Sequence, residues 1–222
     1  MSGDPRGVVL VSGDGSNLQA IIDEARRGAL GVTLAGVVSD RPGVRALDRA
    51  RQAGIPAMVV DYSAAGSRAS FGAELAAALA ALRPDIVVLA GFMRILPDAL
   101  VAAYEGRMLN VHPSLLPKYP GLDTYRRALA AGDPSHGSTV HFVIPELDAG
   151  PAIIQYRVPI RAGDTVDSLK ARIQRGEHEV YPRAIAWLAA GRVALRDGAP
   201  WLDGMPRASP VRVDEERASS AA

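Results

Sequence analysis

The apolar positions in the first half of the chain fall into short continuous runs, separated by stretches with apolar residues at helical spacing. These runs have the length and composition of buried strands, and they cover Val8–Ser12, Val32–Val38, Met58–Val60 and Ile86–Ala90. The intervening stretches predict amphipathic helices, such as the one carrying Leu18, Ile21 and Ile22. Strands that alternate with helices in this way predict a parallel sheet covered on both faces.

The pattern changes after Gly121. Two further β runs, Ser138–Ile144 and Ala152–Ile160, lie close together in sequence, which predicts antiparallel pairing, and Thr165–Ala190 reads as one long helix. We therefore expect an α/β fold: a Rossmann-like open, mostly parallel sheet with helices on both faces and an antiparallel C-terminal part. From residue 203 to residue 222, Pro, Arg, Ser and Ala dominate without periodicity, which predicts a disordered tail.

Composition narrows the function classes. The chain has 222 residues, enough for one sizeable domain, and its formal net charge of +1 argues against a nucleic-acid or anionic-membrane partner. It has no cysteine, which removes disulfides, cysteine-ligated zinc and a cysteine nucleophile. The first residues lack an apolar signal core and no apolar run is long enough for a membrane span, so we expect a cytoplasmic protein.

The most informative stretch is Gly106–Tyr125. A short strand there ends in Asn110, Val111 and His112, and period-2 alternation places the amide and the imidazole on the same side. Such a pair can polarise a carbonyl and move a proton. The plainer interpretation is a loop entry with a surface histidine. The prolines that follow stiffen the loop more than a simple connector requires, which favours a functional site.

Other strand ends carry weaker signals. Gly13–Asn17 follows the first strand and opens a helix, which suits an anion at the free backbone N–H groups, with Ser16 or Asn17 as helix cap. The dinucleotide fingerprint fails because Leu18 occupies its third glycine position, although Asp40 lies near where a ribose-binding acid would be. Asp148 lies in a tight turn, and its functional interpretation is a carboxylate that faces His112.

Several reaction classes have little support. There is no Gly-x-Ser-x-Gly elbow for a serine hydrolase. His136 and His141 are five residues apart on a β run and form a poor metal pair, and His178 reads as a surface histidine. We therefore expect no metal site.

Four separate segments together resemble the phosphoribosylglycinamide formyltransferases, the glycinamide ribonucleotide branch of the folate-dependent formyltransferases. The segments are Val11–Ile21, Val88–Leu96, Asn110–Gly121 and Glu146–Pro151, in family order. The resemblance runs from about Val8 to Gly204. It implies a single formyltransferase domain over residues 1–202, with a nucleotide-binding half of about 1–104 and a folate-binding, catalytic half of about 105–202.

The resemblance also assigns roles. The catalytic residues would be Asn110, His112 and Asp148. The ribonucleotide would be bound by Gly15, Ser16, Asn17, Gln174, Arg175, Gly176 and Glu177. The folate would be bound by Arg68, Met93, Arg94, Ile95, Leu96, Asn110, Ile144, Pro145, Glu146, Leu147 and Asp148. The formyl donor would be 10-formyltetrahydrofolate, used as a co-substrate without a metal.

Some positions depart from the family pattern. Asp14 replaces a common asparagine, Ile144-Pro145 replaces a frequent Thr-Asp, and Asp123 and Tyr125 stand where many members have histidines. Two alternatives stay open: a sister formyltransferase that acts on another amine, such as an amino sugar, and a nucleotide-binding module without catalysis. The expected partners are small-molecule substrates, with neither nucleic acid nor membrane. The sequence leaves the oligomeric state open, a homodimer among the options.

Overall fold

The alternation of apolar runs and amphipathic stretches becomes an eight-stranded sheet with helices packed on it. The computed structural model describes residues 3–215. The sheet strands are β1 (Arg6–Val11), β2 (Thr33–Ser39), β3 (Ala57–Val59), β4 (Ile86–Leu89), β5 (Met108–His112), β6 (Ser135–Phe142), β7 (Ala152–Pro159) and β11 (Val211–Asp214). The helices are α1 (Ser16–Arg26), α2 (Arg45–Gln52), α3 (Arg68–Leu82), α4 (Asp98–Ala103), α5 (Thr124–Ala130) and α6 (Val166–Ala189).

The strand order across the sheet is β11-β7-β6-β5-β4-β1-β2-β3. Neighbouring strands are parallel except where β6 pairs antiparallel with β5 on one side and with β7 on the other. A separate small antiparallel sheet contains β8 (Val193–Arg196), β9 (Ala199–Leu202) and β10 (Met205–Pro206). The predicted fold class, a mostly parallel sheet with an antiparallel C-terminal part, is confirmed.

Both faces of the sheet are covered, as continuous apolar strands require. Alternate residues of each strand face opposite sides, so Val9 and Val11 pack with α1, α2 and α6, whereas Val8 and Leu10 pack with α3 and α4. Within residues 3–215, no helix combines the length and the apolar composition needed to cross a membrane.

The register of the parallel strands brings their carboxyl ends to one edge. Val11 is level with Ser39 across β1 and β2, and Leu89 is level with Asn110 across β4 and β5. The loops that follow these four strands therefore leave the sheet together. Ligands of open parallel sheets bind at this edge, so the fold places the predicted functional loops where they can meet.

The prediction of a disordered tail from residue 203 is wrong for the part that the structure describes. Met205–Pro206 pairs with β9, and Val211–Asp214 forms β11, which pairs parallel with β7. The segment has too few apolar residues for its sequence to predict a strand. Its order comes from tertiary contacts, which local composition does not reveal. Residues 216–222 lie outside the described residues.

One buried arginine fastens this last strand. Arg172 of α6 donates from Nε and Nη2 to the two carboxylate oxygens of Glu215, at 2.9 and 2.7 Å, and from Nη1 to Asp164 at 2.7 Å. The side chain of Arg172 is 7% exposed and that of Glu215 is 15% exposed. Solvent screening is therefore weak, and the ion pair ties the strand end to α6.

We expect Glu215→Gln to lower the free energy of unfolding by about 1.5–3 kcal/mol, because a charged, two-pronged contact with a buried arginine is lost. Asp203→Asn is the matched control, since Asp203 makes an equally two-pronged contact with Arg192 on the surface. Urea denaturation of both variants measures the difference, and equal losses would show that burial of the Arg172 pair contributes nothing.

Candidate active site

A cleft of about 510 Å³ opens where the carboxyl ends of β4 and β5 meet the loop that joins β6 to β7. Its walls come mainly from residues 91–96, 110–113, 121–125 and 143–148. Every residue predicted to bind folate lies in these walls except Arg68, which is exposed at the start of α3. Four large apolar side chains around the cleft are more than half exposed, namely Met93, Ile95, Leu122 and Leu147.

The three residues predicted to be catalytic lie together in this cleft. Asn110 and His112 project from the same side of β5, and Asp148 Oδ2 lies 3.3 Å from His112 Nδ1. The other imidazole nitrogen, Nε2, is 2.9 Å from the carbonyl oxygen of Tyr119. Both ring nitrogens thus face oxygen atoms, and these two contacts fix the orientation of the ring.

The carboxylate of Asp148 is held in place from a second direction. Its Oδ2 accepts the backbone N–H of Gly121 at 2.9 Å, so one oxygen joins the proline-rich loop to His112. Asp148 itself has φ 52°, in the left-handed region that few non-glycine residues adopt. The tight turn therefore aims the carboxylate into the cleft, as the functional interpretation of Asp148 requires.

His141 is part of this cluster, although the sequence did not indicate it. It stands directly opposite Asn110 in the antiparallel β5–β6 pairing, and its Nε2 lies 3.2 Å from Asn110 Nδ2. His141 Nδ1 is 2.8 Å from the carbonyl oxygen of Phe142, so Nδ1 carries the proton and Nε2 accepts from the amide. Burial lowers the pKa of His141, which keeps the ring neutral in this role.

This hydrogen bond fixes the orientation of the Asn110 amide. One N–H of the amide is committed to His141, so the second N–H remains available for an oxygen in the cleft. The signal that could have found His141 is the cross-strand register, which a single sequence does not give.

The loop after β5 is held by more than its prolines. Thr139 of β6 donates to the carbonyl of Ser114 and accepts the N–H of Leu116, at 2.7 and 3.0 Å. Gln155 of β7 donates to the carbonyl of Leu116 at 2.9 Å, and Thr124 donates to Pro113 at 2.6 Å. These contacts fix the path of the loop that carries Tyr119 and Gly121 to the catalytic cluster.

The first βα loop forms a second cluster at the same edge of the sheet. The helix cap of α1 is Gly15, with φ 77° and no side-chain hydrogen bond, so the predicted capping by Ser16 or Asn17 is wrong. Glycine is required there because a Cβ would lie 2.7 Å from the Cβ of Ala46 in α2. With no side-chain oxygen capping it, the start of α1 keeps backbone N–H groups for an anion.

Asp14 does not oppose an anion at this loop. Its carboxylate binds Arg45 at 3.2 Å and Arg49 at 3.0 Å, and Arg49 also donates to the carbonyl of Asp14 at 2.9 Å. The negative charge that replaces the usual asparagine is therefore compensated by two arginines of α2.

The predicted ribonucleotide residues of α6 meet this loop through one contact. Asn17 Nδ2 donates to Glu177 Oε2 at 2.8 Å, across 160 residues of sequence. Glu177 is buried, and burial raises its pKa to about 7, against a smaller lowering by the Asn17 hydrogen bond. Gln174 is half-buried and Arg175 is exposed on the same helix segment.

Gly176 has a different structural role. It is buried in α6 against the ring of Tyr156, and a Cβ at this position would lie 1.9 Å from the ring Cδ1. The glycine permits close packing of α6 on β7, a reason for its presence that is independent of any ligand.

Metal chemistry receives no support from the side chains. Across the part of the chain that the structure describes, no group of three His, Cys, Asp or Glu side chains could hold a metal ion. His136 is buried with its pKa lowered to about 4 by desolvation, and its ring packs edge-on against Tyr119 and Tyr125.

Comparison with known proteins agrees with this geometry. The sequence profile described as formyl transferase matches residues 5–185. The chain belongs to the formyl transferase family. The cluster of Asn110, His112 and Asp148 and the first βα loop both fall within the part of the chain that matches the family.

Individual members of the formyl transferase family are close relatives. The chain is 52% identical over 197 residues to the phosphoribosylglycinamide formyltransferase of Escherichia coli K12, covering 89% of this chain and 93% of that protein. It is 42% identical over 196 residues to the Haemophilus influenzae protein of the same name, covering 88% and 92%. The solved phosphoribosylglycinamide formyltransferase of Coxiella burnetii superposes with a TM-score of 0.90 at 45% identity, covering 94% and 99% of the two chains.

The buried Glu177 makes the free energy of unfolding decrease as the pH rises. Between its ordinary pKa of 4.5 and the folded value of about 7, the folded protein keeps a proton that the unfolded chain has lost. Raising the pH through this window therefore lowers the free energy of unfolding. The Glu177→Gln variant has no carboxyl group that titrates at this position. We therefore expect its free energy of unfolding, minus that of the unmodified protein, to rise by about 3 kcal/mol between pH 4 and pH 8.

Urea denaturation of both proteins at several pH values measures this change. Other titrating groups are common to the two proteins, so the difference between them isolates Glu177. A difference that stays constant with pH would mean that Glu177 ionises normally in the folded state.

Proposed function

We propose that this protein transfers the formyl group of 10-formyltetrahydrofolate to the amine of phosphoribosylglycinamide, in purine biosynthesis. The observation that carries the proposal is the meeting of Asn110, His112 and Asp148 in one cleft, beside a βα loop suited to a phosphate. The names of the relatives support the same substrate pair, since those proteins match nearly the whole chain.

The cleft suits the folate. Its volume of about 510 Å³ lies in the range of small-molecule sites, and its walls are mainly apolar with a few convergent polar groups. Phe92, Met93 and Leu96 offer apolar surface to a flat ring system, while Asn110 and Asp148 supply polar contacts. When bound, the folate supplies the formyl group that is transferred. Ile144 and Pro145 contribute apolar surface where many family members have polar side chains.

The phosphoribosyl part of the other substrate is assigned to the first βα loop. The backbone N–H groups of Gly15, Ser16 and Asn17 lie at the N-terminal end of α1, where the helix dipole favours an anion. Glu177 lies within hydrogen-bond distance of Asn17, which places a carboxyl group beside the same substrate. Gln174 and Arg175 extend this surface along α6.

The catalytic residues act on the charges that develop during transfer. As the amine attacks the formyl carbon, a C–N bond forms and negative charge grows on the formyl oxygen. The free N–H of Asn110 donates to this oxygen, and in the proposed mechanism the Nε2–H of His112 donates to it in place of the Tyr119 carbonyl, where such donors contribute most to the rate. Asp148 orients His112, and the proton lost by the amine passes to N10 as the bond from N10 to the formyl carbon breaks.

The alternatives predict different ligands. A sister formyltransferase would use the same cleft but a different amine, whereas a non-catalytic module would bind a nucleotide without formyl transfer. Asp40, the acid that a dinucleotide site would need, is buried and paired with arginines, which disfavours the second alternative. We propose a cytoplasmic location and small molecules as the only substrates. Whether the protein forms a homodimer is a question for experiment.

We expect Asn17→Ala to raise the KM for phosphoribosylglycinamide about 10–100-fold, because the buried Glu177 carboxyl loses its hydrogen-bond donor and is no longer held beside the start of α1. The KM for the folate should change less than about twofold, since Asn17 does not line the folate cleft. The control is Gln19→Ala, whose amide contacts Asp23 and Arg49 instead. Equal effects on both substrates would contradict the assignment of the loop.

The function itself is tested by mixing the purified protein with both substrates and following the absorbance change as tetrahydrofolate forms. We expect turnover with phosphoribosylglycinamide and none with amino sugars. Asp148→Asn should lower kcat about 10²–10⁴-fold with little change in KM, because His112 loses its charged partner. Wild-type kcat in this variant would exclude the proposed role of Asp148, and preference for another amine would support the sister activity.

A further inference from the structure

Asp40 is a fully buried carboxylate that neither substrate site uses. It follows β2, its side chain is 0% exposed, and it is absent from the walls of the folate cleft. Its Oδ2 accepts Nε of Arg94 at 2.6 Å, and its Oδ1 lies 3.4 Å from Nε of Arg41. A buried charge of this kind persists only where its partners are well placed.

Arg94 is held on two sides. Besides the pair with Asp40, its guanidinium lies 4.0 Å from the centre of the Tyr62 ring, within range of a cation–π contact. Its chain neighbours Met93 and Ile95 are 60% and 54% exposed and line the folate cleft. Arg94 thus anchors the segment whose flanking residues form a wall of the cleft.

Ser12 makes a second attachment at the same point. Its Oγ accepts the backbone N–H of Met93 at 2.9 Å. Burial alone would raise the pKa of Asp40, but Ser12, Arg94 and Arg41 outweigh it and hold that pKa below its usual range. Asp40 is therefore ionised and paired with Arg94 of the loop after β4.

We propose that Asp40 is a positioning residue for the folate, which acts through Arg94 to hold residues 91–96 in the shape that forms the cleft wall. The proposal rests on the proposed function, since it names the folate as the ligand of that wall. It also assigns Arg94 an anchoring role, in place of a direct contact between its guanidinium and the ligand.

The first test measures tetrahydrofolate binding by isothermal titration calorimetry, without the second substrate. We expect Asp40→Asn to bind tetrahydrofolate about tenfold more weakly than the unmodified protein. The control is Asp48→Asn, an equivalent change in an exposed ion pair with Arg51, which should leave the affinity unchanged. In the full reaction, Asp40→Asn should raise the KM for 10-formyltetrahydrofolate by a similar factor, with kcat and the KM for phosphoribosylglycinamide within about twofold.

The second test asks whether Asp40 acts through Arg94. In a double-mutant cycle with Arg94→Gln, the double variant should bind tetrahydrofolate no more weakly than Arg94→Gln alone. Additive losses would overturn the proposed route. If Asp40→Asn does not fold, Arg94→Lys replaces it, because lysine keeps the charge but loses the planar contact with Tyr62 and the Nε contact with Asp40.

The third test follows amide hydrogen exchange at Met93 in the absence of any ligand. We expect faster exchange in Asp40→Asn than in Asp48→Asn, because the loop loses one of its attachments. Lower thermal stability with unchanged affinity and unchanged exchange at Met93 would mean that Asp40 has only a structural role. Failure of the unmodified protein to bind tetrahydrofolate would instead contradict the proposed function, and the exchange measurement would still decide whether Asp40 anchors the loop.

Discussion

The antiparallel pairing of β5 with β6 is the constraint on which the cleft depends. Because β6 runs against β5, His141 stands opposite Asn110 and Phe142 stands opposite Leu109. The chain leaving β6 therefore starts beside the first residues of β5, and the loop that follows carries Asp148 to within 3.3 Å of His112. Within residues 3–215, β6 is the strand of the large sheet that runs against the others, and it is the strand that brings Asn110, His141 and Asp148 together from positions far apart in sequence.

A second link joins the cleft to the first βα loop. Tyr125 lines the cleft and lies close enough to Glu177 for that carboxylate to raise its pKa, together with the larger effect of burial. Glu177 also accepts the Asn17 amide N–H, so this one carboxyl group is close to the start of α1 and influences the cleft-lining Tyr125. This continuity explains how one sheet edge can present two different ligand surfaces to a single reaction.

The sequence predicts most of the fold because the parallel strands and their helices are local patterns. Runs such as Ile86–Ala90 are apolar throughout, and the helix of residues 166–189 shows its spacing directly. The last strand, β11, was missed because its order comes from Arg172 and from β7, which are distant in sequence. Such contacts cannot be predicted from the local composition of the segment.

The same distinction applies to the site. Asn110, His112 and Asp148 were found through a motif and a resemblance, and their proximity follows from the topology. His141 was missed because its partner is set by cross-strand register, and Gly15 replaced the predicted cap because α2 approaches too closely for a side chain. Arg94, which the resemblance assigns to the folate, lines the cleft, and its guanidinium pairs with Asp40, a residue that the sequence indicated only as a candidate ribose acid.

Ion pairs attach the loops after β1 and β4 to neighbouring parts of the chain. The pair of Asp40 with Arg94, whose carboxylate is fully buried, contributes little net stability, because the cost of removing charges from water offsets much of their attraction. Its directional hydrogen bond nevertheless fixes the geometry of the backbone that carries it. The Asp14 side chain is 55% exposed, so its pair with Arg49 is a surface contact, which is supported by the hydrogen bond from Arg49 to the Asp14 carbonyl. Both contacts hold a loop at the edge of the sheet where the proposed reaction would bring two substrates together.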